Sequence, residues 1–238
     1  MTYSNVSCRS LTGPANATKL PELSHRSTSH PDCCLSLSLP LLKRLAKELP
    51  KFPEHVLSIG SGKGLLEQML KTHYPSLDIQ GVEVQDAYGV NKYLPERDMR
   101  TILGSVGSCG TCDRAAVASA WMFVYPRNPL LVRNYIREFG DGAVKVLIWL
   151  GPRNDWDDFA PYLEDDRFEA PEEVAASGLP AYELMAVVRK RNLRYEKTNE
   201  YMEGVVTDTS FEETASTSPT SNDPVKTEDG HQEPIDGR

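Results

Sequence analysis

The sequence predicts an α/β fold: a doubly wound, mostly parallel Rossmann-like sheet with helices on both faces. Three observations predict it. Short apolar runs alternate with amphipathic stretches of helical period across residues 35–197. Several runs, Ala143–Leu150 most clearly, are apolar on both faces, as strands covered on each side must be. A turn with glycine at alternate positions, Gly60-Ser61-Gly62-Lys63-Gly64, joins the first such run to the helix after it.

The elements follow in order. Leu39, Leu41, Leu42, Leu45 and Leu49 make a helical stripe, with Lys43, Arg44, Lys47 and Glu48 opposite and Pro50 and Pro53 ending it. His55–Ile59 reads as a buried strand punctuated by Gly60. Leu65–His73 reads as a helix closed by Tyr74-Pro75. Leu77–Val84 is a second strand, and a weaker one runs over Arg100–Leu103. Ala115–Val124 is strongly apolar and reads as a central strand. Asn128–Phe139 suits a helix stopped by Gly140. Ala143–Leu150 and Ala181–Arg189 are the last strands.

The ends differ in composition. Residues 1–34 are rich in Ser and Thr, with Pro and Gly and no apolar period, and are expected to be disordered. Residues 198–238 are expected to be a disordered acidic tail, because almost nothing in them can be buried. The net charge of −8 belongs to that tail: residues 203–238 hold nine acids and two bases. The rest is balanced, with no basic field for a nucleic-acid backbone, so no nucleic-acid partner is expected. No apolar run reaches a membrane span, so no membrane partner is expected either. No signal-peptide core follows the amino terminus, and the five cysteines are odd in number. A cytoplasmic, reducing setting without a disulfide framework is the expectation.

The glycine loop carries the chemistry. Glycine tolerates positive φ and lacks Cβ, so a backbone can turn tightly and lie against a ligand. The following helix aims its amides at that ligand, outside the carboxyl ends of the strands. The spacing is not the dinucleotide G-x-G-x-x-G, because position 65 is Leu, and it is not a P-loop.

A G-x-G-x-G loop after an apolar strand resembles the first motif of class I S-adenosylmethionine-dependent methyltransferases. The resemblance covers about residues 40–190. It implies that Gly60, Ser61, Gly62 and Gly64 approach the methionine and ribose part of S-adenosyl-L-methionine. It implies that Glu83, ending the second strand, binds the ribose hydroxyls, with Val84 beside it and Ser105 after the third strand. It also implies an antiparallel terminal strand, for which Ala181–Arg189 is the candidate. The sequence departs from the family pattern in three places. Ser58 stands where the family usually has an acid, Gly104-Ser105-Val106 where it often has one, and no Asn/Asp-Pro-Pro-aromatic motif is present.

Other residues weigh less. Cys109 and Cys112 have C-x-x-C spacing, but no second ligand pair exists, so no metal is expected and two ordinary thiols are the favoured reading. Trp121 and Phe123 read as core; Tyr125 and Arg127 sit at the strand end that faces the site. The acids from Asp155 to Asp166 read as a solvated face. His55 lies at the wrong strand end for catalysis, and His73 at a helix end.

Two readings stand. One is an S-adenosylmethionine-dependent methyltransferase acting on a small molecule, its catalytic residues unassigned. The other is a non-catalytic protein that keeps the fold in an accessory or regulatory role.

Overall fold

Strands and helices form over residues 39–189 in the expected order. The computed structural model describes residues 9–10, 18–84, 91–104 and 108–191. The elements are β1 (Arg9–Ser10), β2 (Thr28–His30), β3 (Cys33–Leu37), α1 (Leu39–Glu48), β4 (His55–Ile59), α2 (Leu65–His73), β5 (Asp78–Val84), β6 (Met99–Ile102), β7 (Ala120–Val124), α3 (Pro129–Phe139), β8 (Val146–Pro152), α4 (Trp156–Leu163), β9 (Glu172–Glu173) and β10 (Glu183–Arg189). The acidic segment 198–238 lies outside the described residues.

The main sheet has the order β1-β6-β5-β4-β7-β8-β10-β9. Strands β4 to β8 are parallel to one another. Numbered by their own succession, they run 3-2-1-4-5, the doubly wound order that places a ligand crevice beside the first strand. Strand β10 pairs antiparallel with β8, Met185 opposite Leu150, as the family resemblance implied.

Alternation along the strands splits the core into two layers. Val56, Met122, Ile148 and Met185 pack against the leucines of α1 and α2. Leu57, Trp121, Leu147, Trp149 and Ala186 face the other way, toward α3 and α4. Tyr135 of α3 anchors that second layer. Its ring lies 5.9 Å from Trp121 and 5.8 Å from Phe123, both edge-on, and its hydroxyl accepts the Cys112 N–H at 3.1 Å.

Caps set the helix starts. Ser38 caps α1 by accepting the Leu41 N–H at 3.2 Å, with Pro40 in the first turn. Asn128 caps α3 in the same way through the Leu130 N–H. No side chain caps α2, because its N-cap is the left-handed Gly64.

Two expectations need correction. Residues 18–34 do not share the disorder expected of residues 1–34. Strands β2 and β3 form an antiparallel hairpin, and Leu20, Leu23, Cys33, Leu35 and Leu37 pack against the α1–α2 layer. The abundant Ser and Thr conceal a period-two pattern, in which Leu35 and Leu37 turn inward. The run Ala115–Val124 is not one strand. Asp113–Ala116 forms a 3-10 turn, and the Trp121 indole N–H donates back to the Ala115 carbonyl at 3.2 Å. Ala115 and Ala118 are buried because they close the end of the second core layer, not because they join the sheet.

Candidate cofactor site

The glycine turn takes the shape that its sequence demands. Gly60, Gly62 and Gly64 have φ of +79°, +56° and +75°, a region that L side chains avoid. The Gly60 and Ser61 N–H groups both donate to the Val82 carbonyl, at 2.9 and 3.2 Å, tying the turn to β5. Gly81 makes this possible, since a Cβ there would lie 2.5 Å from the Ser61 hydroxyl.

Glu83 then locks the turn. Its Oε2 accepts the Gly62 N–H at 2.9 Å, and its Oε1 accepts the Val84 N–H at 2.9 Å. A carboxylate offers about four lone-pair directions, so two remain for a ligand. The structure brings Gly60, Ser61, Gly62, Glu83 and Val84 onto one cavity of about 360 Å³. Gly64 closes the turn one step behind that wall, where a Cβ would lie 2.9 Å from Leu94. Ser105 lies outside the described residues.

Residues that the sequence reading passed over complete the walls. The β2–β3 hairpin contributes Pro31, Asp32, Cys33 and Cys34. Asp32 accepts from Lys63 of the glycine turn at 2.5 Å, from Lys92 at 2.7 Å and from the Tyr93 hydroxyl at 2.7 Å. Those donors, Lys63 foremost, hold its carboxyl well below the usual carboxylate range. Burial pushes the Cys33 thiol up to about 12, so it stays a neutral wall. Serine and threonine content hid this hairpin, and no motif marks it.

Glu67, in the first turn of α2, was also passed over. It is 1% exposed, lines the cavity, and accepts the Ser58 hydroxyl at 2.6 Å through Oε1. Burial, aided by Glu83, pushes its carboxyl up to about 7. A signal existed: Glu67 falls among Leu65, Leu66, Met69 and Leu70, all buried, where a lone acid is out of place.

Tyr125 and Arg127 do line the cavity, at the carboxyl end of β7. Tyr125 has φ of +49°. Its hydroxyl donates to Glu183 Oε1 at 2.5 Å. Burial first, and then this bond, raises the phenol well above its usual range. Glu183, 3% exposed at the start of β10, also accepts the Ser36 N–H and hydroxyl, at 3.2 and 3.3 Å. The hairpin, β7 and β10 thus meet on one carboxylate. A second cavity of about 510 Å³ adjoins the first, sharing Cys34, Tyr125, Pro126 and Arg127 and reaching Asp155, Asp158 and Phe159.

Other candidates fall elsewhere. His55 pairs with Asp78 at 2.6 Å at the amino ends of the strands, remote from the cavity. Cys109 is a free thiol but Cys112 is disulfide-bonded, which corrects the expectation of two ordinary thiols. A cystine sulfur lacks the thiolate that metal ligation needs. Among the described residues, no helix is long and apolar enough to cross a membrane.

No model of a known family matches the sequence, and no curated protein matches it. Three solved structures are similar in fold. One is the S-adenosylmethionine-dependent methyltransferase SibL in its apo form, at 14% identity and TM-score 0.44, over 63% of this chain and 55% of that one. A second is precorrin-6y C5,15-methyltransferase from Geobacter metallireducens GS-15, at 11% identity and TM-score 0.48, over 70% and 93%. A third is the 23S rRNA methyltransferase ErmE, at 14% identity and TM-score 0.41, over 73% and 80%. The chain thus spans little more than half the length of SibL. Likenesses of this size carry no argument about activity. The sheet order and the antiparallel β10 are this chain's own, and they extend the resemblance of the glycine loop through the whole sheet. The chain has a Rossmann-like α/β fold, a mostly parallel sheet with an antiparallel strand beside β8.

Proposed function

We propose that the cavity binds S-adenosyl-L-methionine and that the protein transfers its methyl group to a small molecule. One observation carries this reading: Gly62 and Glu83, joined at 2.9 Å, line a cavity of about 360 Å³ at the carboxyl ends of β4 and β5. That volume lies within the ligand-pocket range of about 300–1,000 Å³.

The residues fit the group. Glu83 has free lone pairs for two vicinal hydroxyls, a geometry suited to a two-oxygen acceptor. The Gly62 Cα has nothing within 4 Å of where a Cβ would lie, so the backbone is open to a close approach. Glu67 Oε2 is buried without a hydrogen-bond partner. Bound there, S-adenosyl-L-methionine supplies an electrophilic methyl group.

The protein's part is alignment. The adjoining cavity offers an acceptor apolar walls, Pro126, Pro129, Pro152 and Phe159, with Asp155, Asp158 and Arg127 at hand. Tyr125 stands where the two cavities meet. With its phenol held protonated, it supplies a surface and not a base. Positioning of this kind accounts for much of the rate of an in-line displacement. The balanced charge of residues 1–202 supports a small acceptor over a nucleic acid.

Calorimetry with S-adenosylmethionine, S-adenosylhomocysteine and NAD tests the proposal. Binding of the two sulfur ligands at micromolar concentration, with none of NAD, is the expected result. A folded sample that binds neither sulfur ligand would move the reading to the non-catalytic alternative.

A further inference from the structure

Glu67 has no role in the alignment described above, yet its setting is unusual for a structural side chain. It is 1% exposed. Oε1 is held by Ser58, and Oε2 is shielded from solvent with no hydrogen-bond partner. Leaving a buried carboxyl half-satisfied is costly. Its position in the first turn of α2, beside amides that no side chain caps, favours a negative charge. Yet no described ion pair involves it.

Among the described residues, the groups around it supply no cation. Strand β5 presents Glu83, and β3 presents Cys33. Strand β4 presents the Ser58 hydroxyl. Helix α1 meets α2 through leucines, and its Arg44 is paired with Glu48 at 2.8 Å. Lys63, in the glycine turn, is committed to Asp32. Among the described residues, the cavity wall therefore contains a carboxyl with no cationic complement.

Resting on the reading of the site given above, we infer that Glu67 is the counter-charge for the ammonium group of bound S-adenosylmethionine. The departure at Ser58 fits this assignment. Family members usually carry an acid at that strand position; here the strand supplies the hydroxyl and the helix supplies the acid, joined at 2.6 Å. The carboxyl is retained but arrives from α2.

A proton must then move. Near neutral pH the buried carboxyl is partly protonated. An ammonium group beside it favours the carboxylate, so the carboxyl O–H proton is expelled to the buffer as the ion pair forms. Binding should release about half a proton at pH 7 and more at pH 6, and affinity should rise with pH across that interval.

The test is titration calorimetry of the full chain in two buffers of different ionisation enthalpy. The ligands are S-adenosylmethionine, S-adenosylhomocysteine and 5′-methylthioadenosine, the last lacking the ammonium group. Proton release is expected with the first two and not with the third. Glu67→Gln should abolish the release and weaken S-adenosylhomocysteine roughly 10- to 100-fold, leaving 5′-methylthioadenosine within about twofold. The count on the unaltered protein needs no variant, so a Glu67→Gln chain that fails to fold leaves the test intact. Equal proton release or equal weakening for all three ligands overturns the inference and makes Glu67 structural. An effect on S-adenosylmethionine alone overturns it in favour of the sulfonium. If no ligand binds the unaltered protein, the reading of the cavity itself fails.

Discussion

The backbone N–H of Gly62 and the Oε2 of Glu83 lie 2.9 Å apart, so the turn after β4 and the acid that ends β5 act as one unit. Glu83→Ala removes the acceptor for both the Gly62 and Val84 amides as well as the proposed ribose contact. The expected outcome is a loss of S-adenosylhomocysteine affinity of at least roughly tenfold, the scale of one charge-assisted hydrogen bond. Titration calorimetry reads it, and unchanged affinity would remove Glu83 from the site.

Two glycines separate shape from strain. At Gly62 a Cβ meets nothing within 4 Å, so Gly62→Ala pays only for φ of +56°, about 1–2 kcal/mol. At Gly81 a Cβ would sit 2.5 Å from the Ser61 hydroxyl and 2.8 Å from the Met99 sulfur. Gly81→Ala should therefore lower the melting temperature more than Gly62→Ala, although Gly81 has an ordinary φ. Thermal unfolding of the two variants decides the order.

Glu67 sets a pH dependence of stability whose sign is fixed. Its carboxyl is raised from 4.5 to about 7 in the folded protein, so the native state holds this proton when the unfolded chain has lost it. Stability from this group is complete below about pH 4.5 and is lost as pH rises to about 7, by an amount on the order of 3 kcal/mol. Glu67→Gln should flatten that slope in denaturant titrations run across this range. A slope that survives the substitution would locate its origin elsewhere.

Glu183 gathers Tyr125, the Ser36 amide and the Ser36 hydroxyl at one buried point. Glu183→Ala strands these donors in the interior, at a cost of about 2–4 kcal/mol. Tyr125→Phe removes one of them and should cost about 1 kcal/mol. Chemical denaturation of both variants should give the larger loss for Glu183→Ala. Equal losses would mean that the hairpin does not depend on this carboxylate.

Much of the fold was legible in the sequence, because strand and helix periods differ and the glycine spacing is local. His55–Ile59, Leu65–His73 and the acid at Glu83 are set by residues within a short span, so their pattern survives without tertiary knowledge. The walls of the cavity were not legible, for the opposite reason. Asp32 acquires meaning only from Lys63 and Lys92, and Ser36 only from Glu183. The run 115–118 misled because Ala115 and Ala118, buried at a sheet end, and the exposed Val117 read in sequence like an apolar strand. Glu67 was legible in principle, as an acid on a buried stripe, but its partner Ser58 had been read only as a missing acid.

The bond from Ser36 to Glu183 joins positions 147 residues apart in sequence. A polypeptide leaves the ribosome amino end first, so the hairpin that walls the cavity is made well before its carboxylate anchor. The hairpin can dock on α1, α2 and Lys63 before then, while its bond to Glu183 must wait for β10. A nascent chain therefore lacks the carboxylate that joins the hairpin to β7 until translation has passed residue 183.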